Sequence, residues 1–193
     1  MNWLPKYNYI LASESPRRQM LLKSLGIDFQ VKVKEAGESF PEGLSITEIP
    51  VYLAKSKALP FLDELDKSDL LITADTIVCL DGKIFGKPAD RREAVGMLQL
   101  LSGKEHQVVS GVCLASVKRH KTFFSTSFVS FKELTLQEIE YYVDIYKPYD
   151  KAGAYGIQEW IGYIGITGIK GSFYNIMGLP VQQLYLEILN FEK

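Results

Sequence analysis

Apolar positions along the chain switch repeatedly between the period of a strand and that of a helix. Tyr9 to Ala12 is a short apolar strand, and Pro16 to Leu25 has helical spacing through Met20, Leu21 and Leu25 before Gly26 stops it. Phe29 to Val33 alternates as a strand, whereas Ala36 to Ser45, rich in Gly, Pro and acidic residues, reads as a loop. A helix is predicted from about Thr47 to Leu59, with Pro50 tolerated in its first turn and Pro60 ending it. Leu70 to Ala74 is a strand of the buried type, and Asp81-Gly82 between TIVCL and KIF is a strong hairpin signal.

The second half continues the alternation. Asp90 caps a helix to Leu101 with Glu93 three residues on, and Gln107 to Val117 and Thr122 to Phe131 suggest an antiparallel pair. Thr135 with Glu138 forms a capping box that Leu134 and Ile139 can staple, for a helix to about Tyr146. Gly162, Gly165, Gly168 and Gly171 recur every third residue amid Ile and Tyr, which favours strand or turn over a collagen-like repeat. A closing helix from about Leu179 to Leu189 completes a mixed α/β chain, expected to form a single domain over residues 1–193.

Composition narrows the class of partner. The chain is 47% hydrophobic and 23% charged with a formal net charge of -1, so it is neither disordered nor a strongly basic nucleic-acid binder. Any anion it binds must meet a local basic cluster, and no stable nucleic-acid complex is expected. Cys79 and Cys113 lie in apolar runs without CxxC spacing, and His106 and His120 follow no metal-ligand pattern. No segment approaches the ~20 apolar residues that span a bilayer, and the N-terminus has too short an apolar stretch for a signal peptide. A cytoplasmic protein with reduced thiols is the expectation.

The first segment with chemistry is Ser13-Glu14-Ser15-Pro16-Arg17-Arg18, where a strand gives way to a helix. Free backbone N–H groups, two hydroxyls and two guanidinium forks suit phosphate oxygens, while the plainer reading is a Ser15 cap, Pro16 at N1 and two solvated arginines. Asp75-Thr76 follows the apolar run LLITA, a carboxylate leaving a strand end as a metal ligand or general base, or as a simple turn residue. Glu38, in the acidic loop, is a second hard oxygen for a divalent cation such as Mg²⁺. Lys57 shares the helical row of Ile49 and Leu53, Lys55 follows Val51 in the same way, and periodicity does not choose between them. Lys87 sits in a stiff Gly86-Lys87-Pro88 turn, and the segment from Pro148 to Gln158 pairs Asp150-Lys151 with small residues that let backbone approach a ligand. The chain has no G-x-x-x-x-G-K-[ST], no strand-linked G-x-G-x-x-G and no G-x-S-x-G, which disfavours P-loop enzymes, dinucleotide dehydrogenases and serine hydrolases. Metal-assisted hydrolysis of a polyphosphate fits what remains.

LASESPRR, the Glu38 loop, AKSKA, ADTIV, GKP, SGKEHQV, DKAGAYGIQ and GSFYNIMGLP occur in an order and spacing that resemble the Maf nucleotide pyrophosphatases, from about Tyr9 to Leu189. That resemblance implies an elongated, two-lobed α/β fold with a strongly twisted mixed sheet and a central cleft, like the inosine triphosphate pyrophosphatases. It also implies a divalent cation, Mg²⁺ or Mn²⁺, and often a homodimer. Asp75 then matches the family's catalytic carboxylate, and Glu38, Lys57 and Lys87 its other polar active-site positions, with Glu38 and Asp75 as the metal pair. Arg17, Thr76 and Gln158 match positions tied to substrate choice, while Ser13, Ser15, Arg18 and Lys151 are further substrate-binding candidates. The ADT and AYGIQ forms resemble the subgroup acting on dTTP and UTP rather than 7-methyl-GTP; the rival classes are a non-catalytic nucleotide-binding regulator and a phosphatase or nucleotidyltransferase. Two positions depart from the pattern: Glu14, where many members have a small residue, and Glu159, where Gly commonly follows the glutamine.

Overall fold

One strand is much longer than the sequence pattern suggests, running from Asp69 to Leu80. The computed structural model describes residues 4–37 and 39–191 and is a mixed α/β protein. The strands are β1 (Asn8–Leu11), β2 (Phe29–Val31), β3 (Asp69–Leu80), β4 (Lys83–Phe85), β5 (Glu105–Ala115), β6 (His120–Phe131) and β7 (Ile166–Lys170). Hydrogen-bonded neighbours follow the order β2-β1-β3-β5-β6-β7, with β4 paired to β3. Helices α1 (Pro16–Ser24), α2 (Glu48–Ala58), α3 (Arg91–Leu101), α4 (Leu136–Tyr146), α5 (Trp160–Gly165), α6 (Phe173–Met177) and α7 (Val181–Leu189) connect them. By contact density the chain forms two units, one made of the residues up to Asp75, Ser110–Ser125 and the chain from Gly178 on, the other of Thr76–Val109 and Thr126–Met177.

In the first unit β1 pairs in parallel with both β2 and β3, in the register Tyr9↔Phe29 and Leu11↔Ile72. Parallel neighbours need a crossover, which α1 supplies for β1 and β2. Helix α2 covers one face of the sheet. Ala54, Ala58 and Phe61 pack there with Ile10, Leu71, Cys113 and Ala115, all nearly inaccessible to water. Burial raises the Cys113 thiol to about 11, so it behaves as a small apolar side chain. Two features fix how close α2 lies. Thr73 on β3 donates its hydroxyl proton to the carbonyl of Ala54 at 2.6 Å, and Gly111 on β5 leaves room for the first turn of α2. A Cβ at Gly111 would fall 2.2 Å from the carbonyl carbon of Pro50.

The second unit begins with Thr76. Asp81 and Gly82 both have positive φ, 50° and 79°, the conformation a two-residue hairpin of the Asp-Gly type requires, and they return the chain from β3 into β4. Asp90 caps α3 by accepting the Glu93 amide at 2.8 Å, and the Thr135/Glu138 capping box starts α4 as expected. Leu134 and Ile139 are both buried, as a staple requires. Arg91 on α3 grips Asp144 on α4 through two nitrogens, at 2.6 and 2.9 Å.

Several expectations change. Met20 is 51% exposed and Leu21 and Leu22 face inward instead, since adjacent leucines turn α1 about 100° from the face that Met20 would choose. β2 stops at Val31, on a sheet edge where Val31 and Val33 stay exposed. Helix α2 ends at Ala58, just before Pro60 as expected, and the chain then tightens into a 3₁₀ turn over Leu59–Glu64 that the sequence pattern did not show. Gly162 and Gly165 are helical in α5, not strand or turn; a Cβ on Gly162 would lie 1.9 Å from the Ile157 carbonyl oxygen, so close packing explains that glycine. Asp75 does not leave a strand end. β3 runs without a break through Asp75 and Thr76, the two partly exposed positions in a strand otherwise buried.

The fit of α2 against β5 generates a stability prediction. Gly111→Ala sets a methyl against backbone that cannot rotate away, and the loss is expected at roughly 1–3 kcal/mol or more. Urea denaturation at equilibrium measures it; a change below ~0.5 kcal/mol would mean that α2 yields without strain.

Candidate active site

Two candidate residues of the first unit, Lys57 and Asp75, meet on the face of β3 beneath α2. Residues two apart on a strand share a face, so Thr73 and Asp75 both look toward α2, about 6.7 Å apart along β3. Ala54 and Lys57 are three apart on a helix and lie on one side of it, about 4.5 Å apart along its axis. The Thr73 hydroxyl meets the Ala54 carbonyl, and one helical turn on the Lys57 ammonium meets Asp75 Oδ1 at 2.5 Å. The pair is largely enclosed, with side chains 20% and 15% exposed. Lys55 is exposed, so the structure settles which lysine faces inward. Lys57 is also in the last turn of α2, where the negative end of the helix dipole favours a cation.

The turn from β1 into α1 brings together the other candidates of this unit. Ser13 is buried and its hydroxyl accepts the Ser15 amide at 3.3 Å. Ser15 caps α1 by accepting the Arg18 amide, with Pro16 at the first helical position. Glu14 is exposed, while Arg17 and Arg18 are half-buried. Arg18 Nε donates to the Gly178 carbonyl at 2.8 Å, which orients its guanidinium. Burial lowers the Arg18 pKa, and the Asp75 carboxylate opposes that shift while Arg17 reinforces it. Ser15 caps the helix, and the two guanidinium groups stand at the same helix start.

A divalent cation would find one hard oxygen here. Lys57 takes up Asp75 Oδ1, so Oδ2 keeps its lone pairs for a second partner. No group of three or more His, Cys, Asp or Glu that could hold a metal occurs among the described residues. Glu38 lies outside them. One or two carboxylates completed by substrate phosphates is the usual arrangement for Mg²⁺, which seldom uses an all-protein cage. The donor set fits that pattern.

In the second unit Thr76, the residue after Asp75, is partly exposed on β3, and Lys87 is exposed in its turn. Gly86 in that turn accepts the Gly153 amide at 3.1 Å, tying the GKP turn to the start of the AGAYGIQ segment. Gly153 has φ 68° and packs on Val78, where a Cβ would meet Val78 Cγ2 at 3.0 Å. Lys151 is buried, its ammonium 2.7 Å from Asp150 Oδ1 and 3.2 Å from Glu159 Oε1. Two of its three N–H groups thus serve carboxylates of this segment, and contact with a ligand would fall to the third.

Gln158 occupies the third position of a reverse turn closed by the Glu159 amide on the Gly156 carbonyl at 3.0 Å. Its side-chain Oε1 is buried without a hydrogen-bond partner. A buried amide oxygen with nothing to accept from is an uncommon arrangement. Glu159, the departure from the family pattern, is engaged from two sides: Lys151 on one oxygen and the Tyr142 hydroxyl on the other. Tyr142 gave no signal in the sequence beyond its place on the apolar face of α4. Thr73 and Gly111 were hidden as well, although a lone hydroxyl within LLITA and a lone glycine within VVSGVCLA are the kind of feature that marks a close approach.

Fold and chemistry define an α/β protein with a carboxylate–lysine pair and a cluster of guanidinium groups. The fold is shared with a solved structure, the Ham1 protein of Staphylococcus aureus, at a TM-score of 0.53 and 16% identity over 96% of this chain and 100% of that one. Residues 8–191 match the family model described as Maf-like protein, and the chain belongs to the Maf family. A relative from Bacteroides thetaiotaomicron named dTTP/UTP pyrophosphatase is 55% identical over 186 residues, 96% of each chain. Another of that name, from Parabacteroides distasonis, is 53% identical over 189 residues, 97% of this chain and 98% of its own.

One buried ionisable group supports the AYGIQ segment from below. His106 Nε2 hydrogen-bonds the Tyr155 hydroxyl at 2.8 Å, and its ring lies 5.4 Å from that of Phe131. Its Nδ1 is buried and unpartnered, and burial lowers its pKa from 6.5 to about 4. The folded state therefore holds His106 neutral. The stability this contributes is complete above pH 6.5 and is lost as pH falls toward 4, by about 3 kcal/mol at most. Urea midpoints measured across this window should fall on acidification, and His106→Gln should flatten the decline. An equally steep decline in the variant would assign the effect to other groups.

Proposed function

We propose that this chain hydrolyses dTTP and UTP to the nucleoside monophosphate and pyrophosphate by attack of water on the α-phosphorus. The observation that carries the reading is membership of the Maf family, with relatives at about half identity over nearly the whole chain that bear the name dTTP/UTP pyrophosphatase. The residues of the site supply matching chemistry. Asp75, held by Lys57, accepts the proton of the attacking water or binds the cation. Glu38 shares the cation site, and a bound Mg²⁺ or Mn²⁺ would polarise the phosphoryl oxygens and lower the pKa of a coordinated water.

Lys57, Lys87, Arg17 and Arg18, with Ser13 and Ser15 at the start of α1, neutralise the triphosphate as charge builds on the leaving pyrophosphate. Thr76 and Gln158 set the choice of base. The unpaired Oε1 of Gln158 supports this role, since it can accept from N3–H of uracil or thymine while the amide nitrogen donates to a ring carbonyl. Cytosine offers no proton at N3, and the same amide would face it mismatched. Lys151 contributes to the substrate through its remaining N–H and braces the Gln158 turn through its contact with Glu159.

The same proposal takes residues 8–191 as one functional domain, since the family match runs through segments of both units. It places the protein in the cytoplasm, consistent with the free, buried Cys79 and Cys113, and allows a homodimer. No helix among the described residues is long and apolar enough to cross a membrane.

Asp75→Asn tests the reaction class, because it removes the charge from an almost isosteric side chain. Turnover of UTP with saturating Mg²⁺ is expected to fall by roughly 10²- to 10⁴-fold while the thermal transition stays near that of the parent. Near-parental turnover would take Asp75 out of the chemistry, and tight UTP binding without turnover in the parent protein would favour a nucleotide-binding regulator.

A further inference from the structure

We infer that Tyr142 is a positioning residue that clamps both ends of the turn carrying Gln158 and thereby sets the base preference. The inference rests on the reading of Gln158 given above. Its geometry is confined to the second unit. Tyr142 is inaccessible to water on α4, and its ring stacks on that of Tyr146 with centroids 5.1 Å apart. A tyrosine hydroxyl has one proton to give and lone pairs to receive. Here the proton goes to Glu159 Oε2, and the oxygen accepts the Gly156 amide at 2.9 Å. Gly156 and Glu159 are the first and last residues of the Gln158 turn, so one rigid oxygen holds both.

Further observations support the clamp. Glu159 stands at the N-cap of α5 yet makes no side-chain bond to that helix, because its carboxylate is folded back toward the turn. That fold-back needs Gly156: a Cβ there would meet Glu159 Cδ at 2.7 Å. Gly162 in turn lets α5 pack on the Ile157 carbonyl, the other central residue of the turn. Burial, with the Glu159 carboxylate beside it, pushes the Tyr142 pKa well above its ordinary value, so the hydroxyl stays a donor throughout the physiological range. Lys151 neutralises the carboxylate from the opposite side. Glu159 is thus a tether for the turn, with its charge directed at Tyr142 and Lys151 rather than at the base.

Rigidity matters because a single amide discriminates between bases only if its acceptor and donors hold their positions. The side chain of Gln158 has several rotatable bonds, and a mobile turn beneath it would let the amide adapt to either pyrimidine. Sites that pair substrate polar groups firmly reject mismatched analogues far better than adaptable ones.

The test compares kcat/KM for UTP and CTP in the parent protein, Tyr142→Phe, Glu159→Gln, Glu159→Ala and Gln158→Ala, with amide hydrogen exchange over residues 156–159. Tyr142→Phe keeps the ring and removes the hydroxyl. It is expected to lower the UTP:CTP ratio by roughly tenfold, in line with loss of a hydrogen bond to a charged group, to change kcat for UTP much less, and to speed exchange in the turn. A variant that merely folded less well would scale both substrates equally and leave the ratio intact. Glu159→Gln, which retains an acceptor for the hydroxyl, keeps most of the discrimination, and Glu159→Ala loses it; this pair reads the same bond from its other end should Tyr142→Phe not fold.

A ratio in Tyr142→Phe within twofold of the parent's, while Gln158→Ala abolishes discrimination, would overturn the clamp and leave the base reading intact. If instead Gln158→Ala leaves the ratio unchanged, the base reading fails, and exchange alone decides the clamp: faster exchange in Tyr142→Phe upholds it and unaltered exchange overturns it.

Discussion

The distance between helix α2 and the sheet governs the candidate catalytic pair. Lys57 Nζ and Asp75 Oδ1 come to 2.5 Å only because the helix backbone lies almost in contact with β5. Gly111 makes this possible by presenting no side chain to Pro50, and Thr73 makes it definite by satisfying the Ala54 carbonyl from below. Strand and helix rises differ, so only one helical position can meet Asp75 once Ala54 is pinned over Thr73, and that position is Lys57. The apolar layer of Leu71, Cys113, Ala115, Ala58 and Phe61 then seals the same face. A buried fit of this kind transmits small displacements directly, since close-packed interiors have no slack to absorb them. The cation–carboxylate geometry is accordingly a property of the core.

In the second unit the controlling feature is a hydroxyl rather than a close approach. Tyr142 holds a reverse turn by both ends, and Glu159 and Lys151 complete a buried polar network that pairs the Tyr142 hydroxyl and the Lys151 ammonium with one carboxylate. Networks of this kind are costly when one member is missing and rigid when all are present. Gln158 lies at the edge of that network with its Oε1 buried and without a hydrogen-bond partner, so on the proposed reading of Gln158 as the reader of the base this network is its support. The substitution of Glu for the commoner Gly at position 159 is intelligible on this basis, as part of the support.

Much of this was legible in the sequence where local chemistry dictates structure. The Asp81-Gly82 hairpin, the Asp90 cap and the Thr135/Glu138 capping box are encoded within a few residues each, and all three formed as read. Ordered blocks from LASESPRR to GSFYNIMGLP were enough to mark the family, and residues 8–191 match its model. What escaped is decided across the chain. LLITA and TIVCL read as two strands because the polar Asp75-Thr76 interrupts an apolar run, but pairing with neighbours carries β3 straight through both. Lys55 and Lys57 share a helical pattern with Ile49, Val51 and Leu53, and only the position of Thr73 distinguishes them. Gly162 looks like a strand or turn residue until the Ile157 carbonyl is seen to lie where a side chain would be, and Gly165 until Leu134 and Phe131 are seen to crowd its position. Glu159 looked like a charge facing the base until Tyr142, seventeen residues upstream, was found holding it.

The central claim is that water attacks the α-phosphorus and pyrophosphate departs, and the direct measurement is the fate of oxygen when the protein turns over UTP with Mg²⁺ in ¹⁸O-water. In-line displacement at the α-phosphorus requires the label to appear in UMP, with the released pyrophosphate unlabelled. Label in orthophosphate, with UDP as the other product, would place the attack on the γ-phosphorus and contradict the account.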